Sequence, residues 1–184
     1  MINQAPIIKT DKILLRSPQP SDIEARMIVG KPVEFVKMCG GETGNLPPFT
    51  IEDAKGWYEN VTNTPCEWII EYFGKMIGIA RLTVDKIDNR ARYAIGIFDD
   101  TLYGQGIGTE VTHIVLEYAF KTLNLHRVDL RVLEFNKRAI RCYEKCGFTQ
   151  EGVEREGAYI DGQYYSDIMM SILEREYNSI KKDY

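Results

Sequence analysis

The stretch that decides the fold is Tyr103-Gly104-Gln105-Gly106-Ile107-Gly108-Thr109. An apolar run, Tyr93 to Phe98, precedes this glycine loop, and a helical pattern with one apolar face follows it. The sequence therefore predicts a strand, a glycine loop and a helix in this order. Glycines let a ligand approach the backbone, and the first turn of a helix leaves N–H groups without intrahelical partners. Such an end attracts phosphate, helped by about half a positive charge from the helix dipole.

Two common phosphate-binding motifs do not match this loop. A Walker loop ends in Gly-Lys-Ser or Gly-Lys-Thr, whereas Gly108 is followed by Thr109 and Glu110. A dinucleotide fingerprint begins a doubly wound unit, but this loop follows three predicted strands and leaves too little chain to complete such a sheet. An NAD-binding domain is therefore a distant alternative, and a simple glycine turn without a ligand is another.

Composition limits the class of protein. The 184 residues, 44% hydrophobic and 27% charged, suit one soluble globular domain over residues 1–184. No apolar run approaches the roughly 20 residues of a membrane span, and the first ten residues do not resemble a signal peptide. We therefore expect a cytoplasmic protein without membrane partners. The 23 basic residues against 27 acidic ones give a net charge of -4, which argues against nucleic-acid binding.

The cysteines and histidines do not predict a disulfide or a metal site. The cysteines form no CxxC pair, and the two nearest, Cys142 and Cys146, lie four apart on a predicted helix, beyond disulfide reach. Only His113 and His126 could complete a metal site. Reduced structural thiols and no metal are therefore expected.

Hydrophobic periodicity and turn residues predict further elements on both sides of the loop. The strands are predicted at Ile13–Arg16, Trp68–Tyr72, Met76–Val84, Arg92–Phe98, Val128–Val132, Gln150–Tyr159 and Tyr164–Leu173. The helices are predicted at Ser21–Val29, from Thr50 through Tyr58, after the glycine loop, and at Lys137–Cys146. Residues 31–48 are predicted to be irregular, and the charged tail from Glu174 to Tyr184 is expected to fray.

A second motif identifies a family. Asn136 is followed by a helix with alanine and then by Tyr143-Glu144-Lys145-Cys146-Gly147-Phe148, the form Tyr-x-Lys-x-Gly-Phe. With the glycine loop and the strand order, this resembles the GNAT superfamily of acyl-CoA-dependent N-acetyltransferases. Glu151-Gly152 and the Asp161-Gly162 hairpin are most similar to its branch acting on ribosomal-protein N-termini and polyamines. The resemblance implies an α/β (α+β) fold. Its central sheet would be mixed but mostly antiparallel, with about seven strands and four helices, and splayed between the fourth and fifth strands.

The resemblance implies a site for acetyl-CoA. In the family the glycine loop starts with Gln or Arg, where this chain has Tyr103, and it holds the CoA pyrophosphate through main-chain N–H groups. The strand end at Ile97 and Phe98 would pair with the pantetheine arm and polarise the thioester carbonyl. The predicted cofactor-binding residues are Ile97, Phe98, Tyr103, Gly104, Gln105, Gly106, Ile107, Gly108, Thr109, Asn136 and Arg141. For Asn136 the alternative to a cofactor contact is a helix N-cap. For Arg141, on a basic helix face, the alternative is a solvated surface residue.

The resemblance also implies catalytic residues. Direct attack of an amine on the thioester expels a thiolate, which a positioned phenol, here Tyr143, can protonate. The alternative for Tyr143 is an ordinary core tyrosine. Many relatives carry a glutamate base on the strand before the loop, but this chain has Ala94 there. Glu156 and Asp167 therefore become the candidate bases. The alternative for each is a structural carboxylate.

The expected activity is transfer of acetyl from acetyl-CoA to a primary amine, a protein N-terminus or a small amine. At pH 7 roughly a tenth of an α-amine is neutral, against about four in ten thousand of a lysine-type amine. A weak base therefore favours an amino-terminal or amino-acid-like acceptor over a polyamine. Detoxification of an aminoglycoside-like amine and a non-catalytic acyl-CoA-binding module are the alternatives. The family resemblance permits a homodimer.

Overall fold

A computed structural model describes residues 5–180. Its strands are β1 Ile8–Lys9, β2 Ile13–Arg16, β3 Glu67–Tyr72, β4 Lys75–Asp85, β5 Arg90–Ile97, β6 Arg127–Leu133, β7 Thr149–Ile160 and β8 Gln163–Leu173. Its α-helices are α1 Asp22–Val29, α2 Val33–Met38, α3 Ile51–Asn63, α4 Ile107–Glu117, α5 Lys137–Lys145 and α6 Glu174–Ile180. A 3₁₀ turn, Asp100–Leu102, precedes the glycine loop, and a π turn, Tyr118–Thr122, continues α4. In this part of the chain no helix has the length and apolarity to cross a membrane.

The eight strands follow the order β1-β2-β3-β4-β5-β6-β8-β7. The pairs β1–β2, β2–β3, β3–β4, β6–β8 and β7–β8 are antiparallel. β5 and β6 are parallel, from Arg90 beside Arg127 to Arg92 beside Asp129. The prediction of a mixed, mostly antiparallel sheet is confirmed, with eight strands and six helices where about seven and four were expected.

Two predictions about regular structure were wrong. Residues 31–48 contain α2, a helix of six residues with none buried, which is too short to show a helical period in the sequence. The charged tail forms α6 as far as Ile180, because Tyr177 is buried and its ring stacks on Phe120 at 4.9 Å. The rest of the tail expected to fray, residues 181–184, lies outside the described residues.

The described residues form two compact units. The first unit comprises the chain up to Leu82 together with Ile95–Tyr103. One of its core clusters is formed by Val61, Ile69, Met76 and Phe98. The predicted start of α3 is confirmed as a capping box, in which Thr50 Oγ1 accepts from the Asp53 N–H and the Asp53 carboxylate accepts from the Thr50 N–H.

The second unit comprises Thr83–Ala94 and the chain from Gly104 onward. Apolar side chains of α4, β6 and β8 are fully buried there, among them Val111, Val115, Leu116, Val128, Leu130, Met170 and Ile172. The predicted hairpin between β7 and β8 turns at Asp161 and Gly162, whose φ angles of 48° and 82° are left-handed. β7 ends the sheet, and most of its residues are exposed. The single domain over residues 1–184 remains a prediction.

Candidate active site

The glycine loop connects β5 to α4 as predicted. Gly104 and Gly106 have φ angles of 79° and 82°, a backbone conformation that L side chains rarely adopt. Gly106 is the N-cap of α4, and its carbonyl accepts the N–H of Glu110. The N–H groups of residues 106–109 therefore have no partner within the helix, which gives this end the capacity to bind an anion.

Side chains at the start of α4 point in different directions. Ile107 is buried in the core, so this residue can offer a ligand only its main chain. The side chain of Gln105 is exposed. The Thr109 hydroxyl lies 3.3 Å from the Cys142 sulfur in a hydrogen bond, which joins the first turn of α4 to α5. This contact brings the glycine loop beside the helix that carries Tyr143.

Cys142 is a half-buried thiol whose neighbours shift its pKa. The neighbouring Cys146 sulfur and then the Thr109 hydroxyl lower the pKa of Cys142 below its usual value, although partial burial opposes the shift. The neighbouring Cys142 sulfur and burial raise the pKa of Cys146, whose thiol donates to the main-chain carbonyl of Thr109 at 3.7 Å. The spacing of four on a helix was visible in the sequence, but the contact with Thr109 was not.

Tyr143 is buried in an aromatic cluster of the second unit. Its ring lies 6.4 Å edge-on from Tyr93 and 5.7 Å from Phe148. The Tyr93 hydroxyl forms a hydrogen bond of 3.1 Å with Thr112, and burial raises the pKa of Tyr93 well above its usual value. These contacts fix the ring of Tyr143. A fixed ring is compatible with two roles for Tyr143, a positioned general acid and an ordinary core tyrosine.

Asn136 is the N-cap of α5. Its side-chain oxygen accepts the N–H of Ala139 at 3.1 Å, and the residue is buried. The interpretation of Asn136 as an N-cap is thus confirmed, and it uses the side-chain oxygen. A contact with the cofactor would use the side-chain NH2 group. Arg141, on the same helix, is exposed.

Three predicted cofactor contacts belong to the first unit. The Tyr103 hydroxyl donates to the carbonyl of Ile97 at 2.9 Å, so the residue that departs from the family pattern fixes the end of β5. The N–H of Phe98 donates to the carbonyl of Ile77 at 2.8 Å, so this N–H group is engaged within the sheet. Phe35 of α2 covers Gly96, where an added Cβ would lie 2.7 Å from its ring.

The two candidate bases have different environments. Asp167 is buried on β8 between Leu133 of β6 and Glu154 of β7, and burial raises the pKa of its carboxyl despite Arg131 at 3.6 Å. Glu156 is exposed at a bulge of β7 with a left-handed φ of 54°. A raised pKa suits a proton acceptor near neutral pH, so Asp167 is the better candidate. Within residues 5–180 no cluster of His, Cys, Asp and Glu could hold a metal ion.

Comparison with protein families gives one match over most of the chain. Residues 12–149 match the family model described as an acetyltransferase (GNAT) domain. The spermidine N(1)-acetyltransferase of Escherichia coli K12 is 32% identical over 111 residues, 60% of this chain and 59% of that protein. YdaF of Bacillus subtilis, which is named as a ribosomal N-acetyltransferase, is 30% identical over 111 residues, 60% of each chain. The chain thus spans about three fifths of the length of these relatives.

Solved structures have the same fold. The Vibrio cholerae spermidine N-acetyltransferase, solved in complex with CoA and spermine, superposes with a TM-score of 0.76 and 25% identity, over 92% of this chain and 99% of that one. An acetyltransferase of the GNAT family from Bacillus anthracis gives a TM-score of 0.78 at 21% identity, over 93% of this chain and 100% of that one.

Proposed function

Because this chain belongs to the GNAT acetyltransferase family, we propose that it transfers an acetyl group from acetyl-CoA to a primary amine by direct attack in a ternary complex. The observation that carries this proposal is the contact between Thr109 and Cys142. It sets the anion-binding end of α4 against α5, one residue from Tyr143. A phosphate site and a buried phenol therefore lie on adjacent helices of the same unit.

The residues of the glycine loop fit the pyrophosphate of CoA. Neither Gly104 nor Gly106 has another atom within 4 Å of the position of a Cβ, so the backbone there is open to a ligand. The N–H groups of residues 106–109 would hold the phosphates, and the exposed Arg141 adds a positive charge on α5. Asn136 would contact the pantetheine arm through its side-chain NH2 group. The roles of Ile97 and Phe98 at the end of β5 and the splay of the sheet remain predictions.

Acetyl-CoA supplies a thioester, whose C–S bond breaks as the new C–N bond forms. Tyr143 donates its hydroxyl proton to the departing sulfur, which leaves as a thiol. Asp167, whose carboxyl has a raised pKa, accepts the proton that the amine nitrogen loses. After these transfers Tyr143 lacks one proton and Asp167 holds one. Exchange of one proton through the solvent restores both residues.

The acceptor amine is the less defined part of the proposal. A protein N-terminus or another α-amine needs only a weak base, because roughly a tenth of it is neutral at pH 7. An aminoglycoside-like amine is an alternative acceptor. Ala94, in the place of the family's glutamate, favours one alternative of another class, an acyl-CoA-binding module without turnover.

Acetyl-CoA-dependent thiol release tests the proposal. The acceptors are short peptides with free N-termini, amino acids, polyamines and aminoglycosides, and mass spectrometry identifies the product. Tyr143→Phe removes only the proton donor, so we expect kcat to fall about 10²- to 10⁴-fold. The matched control is Tyr159→Phe, which removes the hydroxyl of a tyrosine that is 57% exposed, and it should leave kcat unchanged.

Three results would contradict parts of the proposal. If Tyr143→Phe keeps the wild-type kcat, Tyr143 is a core tyrosine and not the acid. If acetyl-CoA stabilises the protein against heat but no amine is acetylated, the binding-module alternative is favoured. If acetyl-CoA does not bind, the interpretation of the glycine loop is wrong.

A further inference from the structure

A buried chain of hydroxyl groups connects β5 with the glycine loop. The Tyr93 hydroxyl of β5 lies 3.1 Å from the Thr112 hydroxyl of α4, which donates to the main-chain carbonyl of Gly108 at 2.7 Å. Tyr93 is 3% exposed and Thr112 is 0% exposed. All three residues belong to the second unit. Two hydrogen bonds therefore lead from the core of this unit to the first turn of α4.

The two hydrogen bonds point in the same direction. A carbonyl oxygen can only accept, so Thr112 uses its one hydroxyl proton for Gly108. In the bond between Tyr93 and Thr112 the proton must then come from Tyr93. Burial raises the pKa of Tyr93 well above its usual value, so the phenol keeps this proton. Each donor in the chain thus points toward the glycine loop.

The chain ends on a peptide group that faces the proposed phosphate site. The carbonyl of Gly108 and the N–H of Thr109 belong to the same peptide group. A donor at the carbonyl oxygen polarises this group and strengthens its N–H as a donor, because hydrogen bonds in a chain reinforce one another. The N–H of Thr109 has no acceptor within α4, since it lies in the first turn of this helix. It is therefore free to donate to an anion.

The same turn is held from a second side. The Thr109 hydroxyl lies 3.3 Å from the Cys142 sulfur, and the Cys146 thiol donates to the Thr109 carbonyl at 3.7 Å. Side chains of β5, α4 and α5 thus fix the first turn of α4 from behind. Donors that are already fixed bind a charged group without a cost of reordering.

We propose that Tyr93 and Thr112 are positioning residues for the phosphates of acetyl-CoA, and that their hydroxyl chain orients and strengthens the Thr109 N–H that binds them. This inference rests on the proposed function and extends its phosphate site. Neither hydroxyl reaches the ligand, because both are buried behind the turn. The affinity for the pyrophosphate therefore depends on groups that do not touch it, whereas the affinity for the pantetheine arm does not depend on them.

Calorimetry on the full chain tests this difference without turnover. Titration gives the Kd of CoA, and competition against CoA gives the Kd of inorganic pyrophosphate and of S-acetylpantetheine, which lacks the phosphates. Tyr93→Phe removes the first donor and keeps the ring beside Tyr143. The Kd of CoA and of pyrophosphate should rise about 2- to 5-fold, as a change of 10–30% in charge-assisted hydrogen bonds allows. The Kd of S-acetylpantetheine should stay the same.

Two substitutions at the second hydroxyl provide a rescue test. Thr112→Val removes the donor to Gly108, so the Kd of CoA should rise further, on the order of 10-fold. Thr112→Ser keeps the hydroxyl and should bind CoA within about 2-fold of the wild type. In turnover, Tyr93→Phe should raise the KM for acetyl-CoA and keep kcat, because the reacting groups are unchanged.

Controls separate positioning from a general loss of stability. Tyr177→Phe changes another buried tyrosine, which stacks on Phe120. Thr62→Val removes the same kind of hydroxyl bond from α3, where Thr62 donates to the carbonyl of Tyr58 at 2.7 Å. Both variants should keep the wild-type Kd of CoA. Thermal unfolding of every variant shows whether the protein is folded.

The outcomes of these measurements are distinct. A wild-type Kd of CoA in folded Tyr93→Phe and Thr112→Val would overturn the inference. An equal loss of affinity for S-acetylpantetheine, or the failure of Thr112→Ser to restore binding, would overturn it as well. The absence of turnover on every amine would contradict the proposed function alone, because the binding comparison still decides the roles of Tyr93 and Thr112. A wild-type protein that binds neither CoA nor pyrophosphate would contradict both.

Discussion

At the scale of single residues, Asp167 has a charge that its surroundings disfavour. Burial raises the pKa of its carboxyl above the ordinary 3.8, so the ionised form destabilises the fold. Stability from this group is complete below its unfolded pKa and is lost as pH rises through the folded pKa. Asp167→Asn should therefore raise Tm at pH 7, with the gain disappearing below about pH 4. If Asp167 is the base, the same substitution lowers kcat.

Asp129→Asn is the matched control for this prediction. Asp129 is also buried, but Arg92 lies 3.0 Å from its carboxylate and Arg127 3.7 Å. Removal of this charge leaves the arginines without their partner, so Tm should fall at pH 7, with a loss of stability on the order of 1–3 kcal/mol. A rise in Tm for Asp167→Asn without any loss of kcat would show a structural carboxylate and would remove Asp167 as the base.

The sequence could predict residues whose role depends on near neighbours. The start of α3 at Thr50 and the cap at Asn136 follow from local spacing, and both are confirmed. It could not predict that the buried Arg26 lacks a carboxylate partner among the described residues. This depends on Arg16, which binds the carboxylate of Asp22. The roles of Tyr143 and Asp167 remain predictions, because each depends on the position of a substrate.

At the scale of elements, β4 and β5 approach each other closely at Gly78 and Gly96. A Cβ added to Gly78 would overlap the carbonyl oxygen of Gly96, which is main chain and cannot turn away. Gly78→Ala should therefore destabilise the protein severely, by about 3–5 kcal/mol, and Tm measures the effect. Gly56→Ala is the control within the same unit. Gly56 lies in α3 with no other atom within 4 Å of a Cβ, so alanine should stabilise the helix by about 0.5–1 kcal/mol.

A folded Gly78→Ala protein with wild-type Tm would mean that the two strands can separate at this point without cost. The close approach was not predictable, because the sequence does not show which residues of two strands face each other. Strand positions were predictable from apolar runs and turn residues, whereas β1, with two residues, and α2, with six, are too short to show a period.

At the scale of the whole molecule, the two units share strands. The boundary between the units falls within β4 at Leu82 and within β5 at Ala94, so neither unit is a continuous piece of chain. We therefore expect one cooperative unfolding transition. Both tryptophans, Trp57 and Trp68, lie in the first unit, so their fluorescence reports on that unit, whereas far-UV circular dichroism reports on both. The two denaturation curves should coincide, and an earlier fluorescence transition would show that the units unfold separately.

The exposed strand β7 has a consequence for self-association. It ends the sheet, and an edge strand of 12 residues offers unpaired main-chain groups to another molecule. Its exposed residues include Glu151, Glu154, Arg155 and Glu156, and its pairing with β8 is interrupted at two bulges. Charge and irregularity at an edge oppose the docking of a second strand. Concentrated solutions of this protein should therefore resist edge-to-edge aggregation, and a homodimer would have to use another surface.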